Sequence, residues 1–91
     1  MIDFDKVNER RRAEKRDEFL FEATLRMSEK REIAAMSLLL AAIDVYGANY
    51  NAVRTTLENW IANGQLPEHF SVPGDVEEFR KMCLNKYGIK S

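Results

Sequence analysis

The sequence predicts an all-α fold, a small bundle of about four helices with a helix-turn-helix-like centre and no β wing. Apolar residues recur at spacings of three and four along most of its 91 residues. Capping residues and glycines bracket those periodic segments, at Asp5, Asn49 and Asp75 on one side and at Gly47 and Gly64 on the other. The two prolines fall together in one stretch, QLPEHFSVPG, which no continuous helix can accommodate.

The first helix is expected over residues 5 to 27, with Asp5 as its cap. From Glu9 to Glu18 it is nearly all charge, with acids and bases at helical spacing, so intrahelical pairs of a few tenths of a kcal/mol each can support an exposed helix. From Phe19 the pattern turns amphipathic, and Phe21, Leu25 and Ser28 with Leu20, Ala23 and Met27 are expected toward the core. The expectation is a docked second half and a charged first half, residues 1–18, that is prone to fray.

Ser28 with Glu29 and Glu32 reads as a helix start and places a second helix at about residues 29 to 46; one unbroken helix is the alternative. Its IAAMSLLLAAIDVY run is apolar on nearly all sides, as in the buried centre of a bundle or half of a dimer interface. Gly47 closes it through the left-handed conformation, and Asn49 caps a third helix at about 50 to 63. There Tyr50, Val53, Leu57, Trp60 and Ile61 form one apolar face, and Asn51, Arg54, Thr55, Glu58 and Asn59 the other. Gly64 ends that helix, and Leu66, Phe70 and Val72 are expected to pin the proline loop. Asp75 with Glu78 forms a capping box for a last helix at about 76 to 87. It carries Val76, Phe79, Met82, Cys83 and Tyr87 on one side and ends basic, with Arg80, Lys81, Lys86 and Lys90.

A chain of this length makes one domain whose limited burial leaves it marginal without partners, so a homodimer through the first or second helix, or another binding partner, is expected. Fourteen basic against 15 acidic residues, net −1, give no general attraction to phosphate, whereas dedicated nucleic-acid modules are distinctly basic. One cysteine excludes an internal disulfide and, with a single histidine, leaves little from which to build a metal site. The MIDFDKVNERRR start lacks a signal-type apolar run, and Ile33–Ile43 is too short to span a bilayer, so a soluble, cytoplasmic protein without membrane association is expected.

Catalysis is not expected. His69 lies in the proline loop with no nucleophile motif around it, and Cys83 falls on an apolar stripe where burial makes a thiol inert. The carboxylates alternate with bases rather than converge, no glycine-rich phosphate loop occurs, and neither a cofactor nor a small-molecule substrate is implied.

Binding remains. Gly47, Val53, Arg54, Leu57, Trp60, Gly64 and Leu66 follow an order that resembles the turn and recognition helix of GntR-type winged helix-turn-helix regulators, over residues 47–66. The resemblance implies a helix in the major groove, with Asn49, Tyr50, Asn51, Arg54 and Thr55 at the DNA. Asn and Arg suit this role, since each can make bidentate contacts to a purine edge. Ile43 stands where that family has a small alanine at the helix crossing, no strand pattern follows Leu66 to build a wing, and Glu58 adds negative charge to the same face. Arg10, Arg11 and Arg12 would supply auxiliary phosphate contacts, among interleaved Glu9, Glu14, Asp17 and Glu18.

The best single expectation is thus a small DNA-binding regulator. Almost level with it stands a protein-binding inhibitor or adaptor that occupies a host protein's surface, antitoxin-like or of the kind phages and mobile elements encode. Balanced charge, a very apolar second helix and the aromatics Tyr46, Tyr50, Trp60 and Phe70 favour that alternative.

Overall fold

Good helix formers, broken only at three junctions, give four helices: α1 (Phe4–Ser28), α2 (Glu32–Asp44), α3 (Tyr50–Ala62) and α4 (Val76–Tyr87). The computed structural model describes residues 4–90, and no strand occurs among them. The fold is a small all-α bundle. α1 and α2 are its most closely packed pair, with smaller contacts of α1 with α3 and of α2 with α4. Ala23 on α1 and Ala35 and Ala42 on α2 are fully buried.

Around that pair closes one apolar core in which Met36, Leu39, Val53, Leu57, Trp60, Phe79 and Cys83 are fully buried. Burying a side chain of this size contributes about 1.5–3 kcal/mol relative to leaving it exposed. No polar or charged residue is buried among those described. One polar contact runs between elements inside: Trp60 Nε1 donates to Thr24 Oγ1 at 3.1 Å, fixing the register of α3 on α1.

The caps at α3 and α4 follow the expected chemistry. Asn49 Oδ1 accepts from the Asn51 N–H at 2.8 Å, and Asp75 Oδ1 from the Glu78 N–H at 2.8 Å. The capping box at α4 is a variant, because the Glu78 carboxylate reaches back one residue further, to the Gly74 N–H. Gly47 and Gly64 both take positive φ, as a helix C-terminus favours. The proline loop is pinned as expected by Leu66, Phe70 and partly buried Val72, and Tyr50 Oη ties it to α3 by donating to the Pro73 carbonyl.

The junction between α1 and α2 departs from expectation. Ser28 starts no helix; it is the last residue of α1, and its Oγ donates to the Leu25 carbonyl. The chain turns at Lys30 (φ 62°), with the Arg31 N–H returning to the Arg26 carbonyl and the Lys30 N–H to that of Met27. Arg31 then precedes α2 with no side-chain cap. Asp5 lies within α1 rather than capping it, because the helix already includes Phe4. Phe21 and Leu25, expected inward, point outward at 63% and 39% exposure, while Ala23 and Met27 on the adjacent stripe are buried.

α1 is helical from Phe4, and its midpoint is tied to the rest of the bundle. Arg16 Nη1 donates to the Tyr46 carbonyl at 3.0 Å, past the end of α2, and Nη2 to Glu9 Oε1 at 2.8 Å. A cation is well placed there, near the negative end of α2. Phe19 adds an edge-to-face contact with the Tyr46 ring, centroids 5.0 Å apart.

Candidate binding surfaces

The α3 face named by the sequence is solvent-exposed at Asn51, Arg54 and Thr55. Its groups are partly committed to the helix itself. Arg54 Nε pairs with Glu58 Oε1 at 3.4 Å, Thr55 Oγ1 donates to the Asn51 carbonyl, and the Asn49 side chain is held by its capping bond. Tyr50 turns away from that face: its ring lies against Phe79, and burial pushes its hydroxyl up to about 12. α2 and α3, although joined by a short turn, are not among the closely packed helix pairs. Ile43 packs partly buried against the core.

Arg10, Arg11 and Arg12 are exposed on the first half of α1, where Asn8, Glu9, Arg11 and Arg12 line a shallow groove. The Arg16 guanidinium holds the neighbouring Glu9 carboxyl below its ordinary range, by hydrogen bond and by charge, so an anion stays beside these cations. Arg16 meets Tyr46 just before α3, and Thr24 meets Trp60 near its end, so α1 and α3 run in the same direction. Both cation-bearing sets therefore lie toward one end of the bundle, on separate helices.

A different surface was missed by sequence reasoning. Phe21 and Leu25, one helical turn apart, stand out on α1, and Ile33, Val45 and Leu84 are also exposed. On α4, Arg80, Lys81 and Lys90 surround Leu84 and Ile89 in a groove of about 470 Å³. Arg80 also pairs with Asp44 at the end of α2. Lys86 turns elsewhere and lies 4.7 Å above the Phe70 ring.

Cys83 is buried, and burial pushes its thiol up to about 11. Among the described residues no group of three or more His, Cys, Asp or Glu side chains is placed to hold a metal ion. No described helix is long and apolar enough to cross a membrane. No protein-family model, curated protein or solved structure matches the chain, so the reading of function rests on its residues and their geometry.

Proposed function

We propose that the chain is a non-enzymatic protein-binding module that acts as an inhibitor or adaptor by covering a partner's surface. The observation that carries this is the outward pair Phe21 and Leu25 on a helix whose neighbouring stripe already closes the core. Exposed aromatic and aliphatic anchors at helical spacing are what a partner's groove takes up. The near-zero net charge suits such a role. In an affinity capture from the source cell, a specific protein should be retained by the wild-type chain and by Arg54→Ala. Phe21→Ser/Leu25→Ser should lose it while keeping the wild-type helical signal; retention by that double variant would overturn the reading.

DNA binding is the second reading, favoured by the placement of Asn51, Arg54 and Thr55 toward the same end as Arg10, Arg11 and Arg12. It requires binding that falls steeply with salt and, on a specific site, weakens with Arg54→Ala more than on random duplex. Absence of any salt-dependent shift at low ionic strength removes it.

A further inference from the structure

We infer that the α1 surface and the α4 groove are two halves of one contact, through which copies of this chain associate. The inference rests on the protein-binding reading and names a partner for its surface: a second copy. On α1, Glu14, Glu18, Phe21 and Leu25 follow at spacings of four, three and four and form one outward stripe, which Glu29 continues in the turn after the helix, its N–H on the Leu25 carbonyl. Two apolar side chains lie at its middle and carboxylates at both ends. On α4 the order of charge is reversed. Leu84, 51% exposed, and Ile89 form an apolar floor, and Arg80, Lys81 and Lys90 the rim, with no acid in the lining.

Charge complementarity selects the occupant. In a chain of net charge −1, one groove gathers three cations around apolar residues, and one helical stripe gathers three acids around apolar residues. Phe21 and Leu25 on Leu84 and Ile89 would exclude water, and Glu14, Glu18 and Glu29 would meet the cationic rim. Existing pairs do not preclude this: Lys15–Glu18, 3.2 Å, is exposed and Arg26–Glu29, 2.8 Å, partly so, and surface pairs of this kind contribute little to stability. Arg80 is held by Asp44, so Lys81 and Lys90 supply the available charge.

α1 and α4 each pack on α2 and are not themselves a closely packed pair, and the proposed contact joins the stripe of one copy to the groove of another. Such a contact is heterologous, the stripe of one copy in the groove of the next. Its few apolar groups place it among small, weak, salt-sensitive interfaces.

Sedimentation equilibrium of the full chain across concentrations, at low and high salt, tests this. At low salt the weight-average mass should rise from 10.6 kDa to at least twice that value, and it should fall back as salt is added. Lys81→Glu/Lys90→Glu and Glu14→Lys/Glu18→Lys should each stay monomeric. Mixed together they should associate again, because the reversed groove then faces the reversed stripe. All four substitutions are at exposed positions, and circular dichroism confirms the fold of each variant. A wild-type chain that is monomeric at every concentration, or a mixture that stays monomeric, overturns the inference. If the monomer still captures another protein through Phe21 and Leu25, the protein-binding reading stands and the self-contact alone fails.

Discussion

Lys30 and Gly64 occupy the same place in the same helix-ending motif. Each takes a left-handed φ, and in each case the next residue's N–H returns to a carbonyl five residues back, Arg31 to Arg26 and Gln65 to Trp60. For a residue with a Cβ that conformation costs roughly 1–2 kcal/mol, partly offset because glycine has more freedom to lose on folding. Lys30→Gly should therefore stabilise the fold by about 0.5–1 kcal/mol, read as a higher urea midpoint, whereas Gly64→Lys should lower it. Two half-buried tyrosines make a second contrast. Tyr50 Oη donates to the Pro73 carbonyl, while buried Tyr87 Oη has no partner in hydrogen-bond geometry; burial first, and then the Glu32 carboxylate close by but not aligned as an acceptor, push it up. Tyr87→Phe should leave stability unchanged or raise it, and Tyr50→Phe should cost about 1 kcal/mol, since only the latter breaks a satisfied bond.

Cys83 and the tyrosines also set the alkaline limit. Burial raises Cys83 from 9.0 to about 11 and Tyr50 from 10.0 to about 12. The unfolded chain loses these protons first, so their contribution is complete below pH 9 and is lost as pH rises through the folded values. The urea midpoint should hold up to about pH 9 and decline between there and pH 12. A midpoint that rises across that window would contradict the burial of these groups.

At the scale of the element, α1 is the helix that departs most from a simple amphipathic pattern. Its charged half meets the bundle at Arg16, which reaches Tyr46. Arg16→Ala should cost about 1 kcal/mol, and hydrogen exchange should quicken in residues 8–18 before it does at Ala23. What the sequence made legible follows a physical division. Caps are local chemistry, so Asn49, Asp75, Gly47 and Gly64 were readable from single residues and their neighbours. The junction at Lys30 was not, because lysine gives no compositional sign of a left-handed turn, and a serine followed by acids resembles a helix start wherever it stands. Phe21 and Leu25 were misplaced for another reason. Spacing shows that they share a stripe, but the stripe that faces inward is chosen by distant partners such as Trp60, which bonds Thr24. The outward set Asn51, Arg54 and Thr55 was legible as a surface, since Val53, Leu57 and Trp60 fix the opposite side. Its pairing with Glu58 was not anticipated, since on sequence alone Glu58 counts only as negative charge on that face, although it stands four residues from Arg54.

For the whole molecule, the extents of 52 × 24 × 19 Å reflect a 25-residue helix, about 37 Å long by its rise, laid along a bundle of shorter ones. Among the described residues no polar or charged residue is buried, and the one buried side-chain polar atom without a partner is Tyr87 Oη. Of the large apolar residues left exposed, Phe21, Leu25, Ile33, Val45 and Leu84, binding is the use proposed for Phe21 and Leu25 on α1 and Leu84 on α4. Position-specific photocrosslinking in the source cell, with a benzophenone side chain at Phe21 in one variant and at Thr55 in another, tests that claim most directly. Protein adducts through position 21, with position 55 silent, are the predicted result. Nucleic-acid adducts through position 55, with position 21 silent, would contradict it.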